Sequence, residues 1–417
     1  MSTRRDEPHT AQSPRNAMTR RRFGAVAATA MAGAVGAGLI GGRSTSTNGA
    51  ASAASPARAA RGRSKRSKAG TKRAIVKTAA AATAFVKTLS AEQREQLLYG
   101  FTDETKTTSW SNFPVTFVAR AGLNLTTDLD DTQRAAAMKV LAALLGDEGY
   151  ETVTGIINGD VFLHEKSSST ESSLGQYYIA FFGKPSASRP WEVQFGGHHL
   201  GINATLDGGE RAITFAPTHL GSQPAVYTAD DGSTVQPLAG MYKDAFRFFN
   251  SLSSEQRTAG FQGDSVAAMV CAPGSTCSFP TGSGLAGSDL SAKQRKLLLK
   301  VIANWVGLAD EQTTKRALKR IEAGLNRTYV KWSGATTYDM SSGEGIYYEI
   351  SGPKVFIEFA SQQGSAGADV DGYVTAGWGH IHTIYRDPTN DYAGSVTQQA
   401  ASGMGGGTAP GGTPPTP

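Results

Sequence analysis

Several familiar signatures are missing from this chain. It has no Gly-rich phosphate loop, no Gly-x-Ser-x-Gly elbow, no His-Glu-x-x-His helix and no cysteine-nucleophile signature, which sets aside the commonest nucleotide, acyl-transfer and zincin chemistries. Cysteine is scarce: Cys271 and Cys277 are the only two in 417 residues, spaced C-x5-C around Pro273 and Gly274. In an oxidising compartment such a pair reads as a short-loop disulfide. A two-cysteine metal site is the competing idea, but no histidine lies close in sequence. Long runs rich in Leu and Ile are also missing.

The formal net charge of +6 misleads. Residues 1–77 hold 16 of the 41 Lys/Arg but only Asp6 and Glu7, so the remainder carries a net −8. The basic character belongs to a leader. Once it is removed, no cationic stacking platform is left for nucleic acid, and none is expected as a partner. Within 1–42, Arg20-Arg21-Arg22-Phe23 precedes an Ala/Gly-rich apolar run from Gly24 to Gly42. This pattern matches a twin-arginine export signal, with the translocase as a transient partner, a cell-envelope or extracellular destination, and no stable membrane span in the mature form. Residues 43–78 read as a disordered basic linker and 396–417 as a disordered Gly/Pro tail.

Between these ends a phrase recurs four times: Leu89-Ser-Ala-Glu-Gln-Arg94, Leu129-Asp-Asp-Thr-Gln-Arg134, Leu252-Ser-Ser-Glu-Gln-Arg257 and Leu290-Ser-Ala-Lys-Gln-Arg295. Each has the spacing of a helix capping box. A further landmark repeats as Gly175-Gln-Tyr-Tyr-Ile and Gly345-Ile-Tyr-Tyr-Glu-Ile, each followed by a strand-like run, Trp191 to Phe195 and Val355 to Phe359. Both halves then deliver glycines and paired histidines, Gly196-Gly-His-His199 and Gly377-Trp-Gly-His-Ile-His382. The expected fold class is therefore α+β with an internal duplication. Residues 79–240 form a first half and 241–395 a second, each a helix pair followed by an antiparallel sheet.

The chemistry concentrates near the end of the second half. From Trp378 to Tyr385 apolar and polar residues alternate as on a strand, placing His380 and His382 on one face with backbones roughly 7 Å apart. Two imidazoles so placed suit one metal ion or one substrate. His198 and His199 are adjacent, so both serve only if Gly196 and Gly197 permit a bulge or turn. If the duplication holds, the four converge in one cleft. Glu358 lies within an apolar run and needs a partner, whether a metal, a histidine or Arg386. Arg386 and Asp387 read as substrate clamps or as a turn with a salt bridge. Asn203 orients a ligand or caps a loop, and Gln362 lies near the same motifs. His164, on an apparent strand, and His219, in a Pro/Thr/Gly loop, read as ordinary surface or packing histidines.

Three stretches together resemble the bacterial domain-of-unknown-function 3500 family. They are Gly197-His-His-Leu-Gly-Ile-Asn203, then Gly352-Pro-Lys-Val-Phe-Ile-Glu-Phe359 with Gln362, and His380-Ile-His-Thr-Ile-Tyr-Arg-Asp-Pro-Thr-Asn-Asp-Tyr392. The resemblance runs from about Ala79 to Tyr392. It implies an exported protein and brings no activity. It marks His198, His199, Asn203, Glu358, Gln362, His380, His382, Arg386 and Asp387 as positions matching the family pattern, and leaves out His164 and His219. The resulting expectation is an exported metal-dependent hydrolase or oxidoreductase acting on an extracellular or small-molecule substrate. Its metal ligands are drawn from His198, His199, His380 and His382. Glu358 or His199 is the base, with Arg386 and Asp387 as further catalytic-site residues. Zinc comes before copper or iron, because no thiol or methionine ligand accompanies these motifs. The alternative is a non-catalytic extracellular protein that binds a metal or small solute.

Overall fold

The computed structural model describes residues 70–399, apart from 264–268, 278–281, 342–344 and 366. The stretch read as an export signal and the tail from 400 onward lie outside the described residues, whereas 396–399, expected as disordered tail, are described and Gln398 donates to the Thr107 carbonyl. The linker up to residue 69 also lies outside, but its last part, 70–78, is helical.

In the first part of the chain the helices are α1 (Gly70–Thr88), α2 (Ala91–Leu97), α3 (Thr105–Thr108), α4 (Asp131–Leu144) and α5 (Asp147–Lys166). The strands there are β1 (Leu98–Tyr99), β2 (Leu123–Asn124), β3 (Tyr178–Phe182), β4 (Trp191–Gly196), β5 (Leu200–Asp207), β6 (Ala212–Thr214), β7 (Thr218–Ser222), β8 (Tyr227–Thr228) and β9 (Thr234–Val235). The later helices are α6 (Ala239–Phe249), α7 (Ser254–Gly260), α8 (Ala292–Val306) and α9 (Glu311–Glu322), with strands β10 (Leu285–Ala286), β11 (Tyr329–Gly334), β12 (Ile346–Gly352), β13 (Val355–Ser361) and β14 (Ile381–Arg386).

All four repeated phrases start helices. Ser90, Asp130, Ser253 and Ser291 each cap the backbone N–H of a glutamine three residues on, and that glutamine reaches back to the cap. The glutamines also pair across helices. Gln93 and Gln133 bond each other in the first half, as Gln256 and Gln294 do in the second.

The α+β expectation is met by one large mixed sheet, in the order β1-β3-β4-β5-β7-β14-β13-β12-β11-β10. The order reads symmetrically outward from the antiparallel β7–β14 pair. At one end β1 joins β3 in parallel and β2 joins it antiparallel. At the other, Phe261 makes a parallel bridge to β11 and β10 joins it antiparallel. By position in the sheet, the counterpart of β3 is therefore β11. The Tyr-Tyr landmark instead equates β3 with β12, one strand out of step.

The two faces of this sheet differ in kind. On one, apolar side chains meet helices: Phe85 meets Phe181, Tyr242 meets Phe359, and Trp305 Nε1 donates to the Thr383 hydroxyl. The other face is polar yet buried. Partners opposed across strands share a face, and the register Gln194–Asn203, Gly201–His219, His219–Ile384 and Glu358–Ile384 lines these polar groups up together with His382. Loops cover it. Gln194 bonds Ser109 and the Lys106 carbonyl, and Asn203 bonds Gln194 and the Pro217 carbonyl. Lys106 and Glu192 form an ion pair with both side chains fully enclosed. Burial raises the Glu192 carboxyl and lowers the Lys106 amine, with each partner opposing the other's shift without reversing it.

Candidate metal centre

Five imidazoles meet where β5, β7 and β14 lie side by side. His198 and His199 form the turn between β4 and β5, closed by Gly197 N–H donating to the Leu200 carbonyl. The glycines make this turn feasible. A Cβ on Gly197 would come within 2.5 Å of the Gln176 carbonyl, and one on Gly196 within 2.4 Å of the Leu200 carbonyl. Arg120 braces the turn by donating to the Gly197 carbonyl. The two rings then stack at 4.0 Å instead of pointing oppositely.

His380 and His382 share a face as their spacing requires, with ring centres 4.9 Å apart. The two pairs meet: His199 lies 5.7 Å from His380 and 5.2 Å from His382, centre to centre. The fifth member is His219, whose ring is 5.3 Å from His382. This corrects its reading as a loop or surface residue, because it sits on β7 and is fully buried. His164 stays outside the cluster, on the last turn of α5 and not on a strand.

Four of the five rings are held from the outside. His199 Nδ1 donates to Asp160 Oδ1, and Asp160 Oδ2 accepts from the Tyr177 hydroxyl at 2.6 Å. His219 Nδ1 donates to the Thr383 carbonyl and His380 Nδ1 to the Gly364 carbonyl, both at 2.8 Å. In all three the proton is thereby fixed on Nδ1 and the lone pair on Nε2. His382 Nδ1 meets the side-chain amides of Asn112 (3.1 Å) and Gln362 (3.2 Å). Asn112 Oδ1 is buried without a partner among the described residues. Turning both amides by half a revolution brings their oxygens to a proton on His382 Nδ1 and frees Nε2.

Nε2 of His199, His219, His380 and His382 and Nδ1 of His198 are buried and have no hydrogen-bond partner among the described residues. A buried unsatisfied polar atom costs about 1–3 kcal/mol, so such a concentration calls for an occupant. One ligand atom from each of His198, His199 and His382 lies within 4.8 Å of the others, so the buried cluster could hold a metal ion. Burial keeps the imidazoles neutral, as ligation requires: His219 and His380 are pushed down to about 4, and the other three well below the usual histidine range, with neighbouring rings adding to the effect. The donor set, its orientation and its charge state fit a divalent ion.

The remaining site candidates are engaged elsewhere. Glu358 accepts from the main-chain N–H groups of Val270 and Cys271 and from the Tyr347 hydroxyl. It thereby anchors the loop closed by the Cys271–Cys277 disulfide. Arg386 donates to Asp391 and to the Ser275 carbonyl, and Asp387 pairs with Arg320. Gln362 belongs to the cluster's outer support, whereas Asn203 belongs to the buried network of the polar face. The sequence reading missed Asp160, Asn112 and His219.

Fold and site together define a mixed α+β protein with a buried, oriented histidine cluster. Residues 71–394 match the family described as a protein of unknown function (DUF3500), and the chain belongs to that family. No curated protein and no solved structure matches it. Among the described residues no helix is long and apolar enough to cross a membrane.

Proposed function

We propose that this is an exported metalloprotein whose histidine cluster holds a divalent transition ion, and that it works as a metal-dependent hydrolase or oxidoreductase. The observation carrying the metal reading is the group of buried ligand atoms on His198, His199 and His382, all within 4.8 Å of one another. A set of three histidine ligands, His198, His199 and His382, leaves a fourth position for water or substrate, as in catalytic zinc sites. Bound there, zinc would act as a Lewis acid and lower the pKa of a bound water. Zinc ranks first, then copper or iron, because the donors are all imidazole. Asp160 sets the orientation and tautomer of His199, Asn112 and Gln362 do so for His382, and the Thr383 and Gly364 carbonyls for His219 and His380. Export rests on the arginine pair ahead of its apolar run and accords with the disulfide. An internal duplication is supported by the symmetric strand order and the twice-repeated glutamine pair, and it would make β7 and β14, hence His219 and His382, corresponding elements.

The burial of the cluster favours a second reading, a non-catalytic metal-binding protein. His198, the most exposed of the five, is only 8% exposed, and the rings of His219 and His380 stand beside the three grouped ones.

Elemental analysis of protein from its native export route tests the metal itself. Near-stoichiometric metal in the wild type and none in His380→Ala/His382→Ala is expected. Absence from both, even after reconstitution, ends the metal reading. X-ray absorption then separates the two functions: three nitrogens plus a light exchangeable ligand support the enzyme, and a shell made only of imidazoles supports the binding protein.

A further inference from the structure

β14 sends its side chains alternately to the two faces of the sheet, so Tyr385 points away from the side that carries His380 and His382. On the Tyr385 side a cavity of about 260 Å³ lies between α9, β6 and the turn after β14. Ile213, Phe215 and Ile321 give it apolar walls.

Three polar groups line it with bonding capacity unspent. Tyr385 is 4% exposed, and its hydroxyl has no hydrogen-bond partner among the described residues. A hydroxyl on a cavity wall with no protein partner is left for water or a ligand. Arg316, an exposed residue, spends only Nη1, on the carbonyls of Glu210 (3.1 Å) and Arg211 (2.9 Å), and has no carboxylate partner among the described residues. Its Nε and Nη2 edge stays free, which is the fork that receives a carboxylate through two parallel hydrogen bonds. The side-chain amide of Asn390 is likewise unpaired among the described residues.

Two of the three acids of the lining have partners of their own. Asp387 is paired with Arg320, Asp207 accepts from the main chain of Gly209 and Glu210, and Glu210 is exposed. The backbone beside the cavity is strained: Tyr392 and Ala393 are left-handed at φ 53° and 52°, and Ala393 is part of the wall. Strain of this kind concentrates at ligand sites.

We infer that this cavity binds a small organic carboxylate with a compact apolar body. The carboxylate lies on the Arg316 fork, Tyr385 and Asn390 fix its orientation, and the body rests on Ile213, Phe215 and Ile321. The volume is below the ~300–1,000 Å³ of drug-sized pockets, which points to a metabolite-sized ligand.

Calorimetric titration of the full chain with benzoate and with 4-methylpentanoate tests this, with benzamide as the neutral isostere of benzoate. Tyr385→Phe removes a hydroxyl that has no partner, and Arg316→Gln changes an exposed helix position, so both variants should fold. The expected result is one-site binding of at least one carboxylate, weakened about tenfold or more by Arg316→Gln, as loss of a charge-assisted pair implies. Tyr385→Phe should weaken it several-fold, and benzamide should bind about as poorly as benzoate binds to Arg316→Gln. His382→Ala should bind the carboxylate normally, which keeps this result separate from that of the metal. No saturable binding of either carboxylate, equal binding of benzamide, or unchanged binding by Arg316→Gln overturns the assignment.

Discussion

Asp160 governs what His199 can offer. By accepting from Nδ1 it leaves Nε2 as the free lone pair, and it makes the ring more basic toward a metal. Asp160→Asn should therefore weaken metal binding about 10–100-fold, measured by competition against a chromogenic chelator; unchanged affinity would remove Asp160 from the site. Glu358 makes a separate, pH-dependent contribution. Burial pushes its carboxyl up from 4.5 to about 6, against the opposing pull of hydrogen bonds from Tyr347, Val270 and Cys271. Between those pH values the folded chain holds a proton that the unfolded chain has released, so this group's contribution to stability falls as pH rises, by about 2 kcal/mol across the window. Denaturant midpoints of wild type and Glu358→Gln, compared from pH 4.5 to 6, should show that slope in the wild type only. Of the cluster, His380 and His382 were legible because their alternation is local. His219 was not, since it lies on a five-residue strand between Pro217 and Pro224 that resembles a loop. Asp160 lies 39 residues before its histidine, on a helix, beyond the reach of any local pattern.

At the scale of elements, the β7–β14 ladder is sensitive to one missing side chain. A Cβ on Gly221 would stand 2.7 Å from the Ile381 carbonyl and 3.1–3.2 Å from the Cδ2 atoms of His199 and His382. Gly221→Ala should cost about 1–3 kcal/mol, the usual range for overpacking, and lower metal occupancy as well; thermal melts beside metal analysis check both. If occupancy holds while stability drops, the rings have yielded and the spacing matters less than proposed. Helix starts were readable in the sequence because a capping box is complete within four residues. Strand partnership was not, because it depends on elements far apart in the chain. The similar Tyr-Tyr phrases therefore suggested β3 and β12 as counterparts, where sheet position selects β3 and β11. The polar face was hidden for a related reason: its charges are buried by loops from three separate parts of the sequence.

For the whole molecule, a metal held by the folded state alone must raise the unfolding temperature in proportion to its occupancy. At free ion a thousandfold above the dissociation constant the gain is about 4 kcal/mol. A scan with and without chelator should show it as an upward shift that disappears in His380→Ala/His382→Ala. An equal shift in the variant would place the ion elsewhere. The enclosure of the five imidazoles bears on timing too. A donor set closed in by its own fold exchanges its guest only as often as that fold opens, and a well-packed cover opens rarely. Metal selection would then be a matter of history: the chain would keep the ion it met where it folded, and carry that choice through every later compartment.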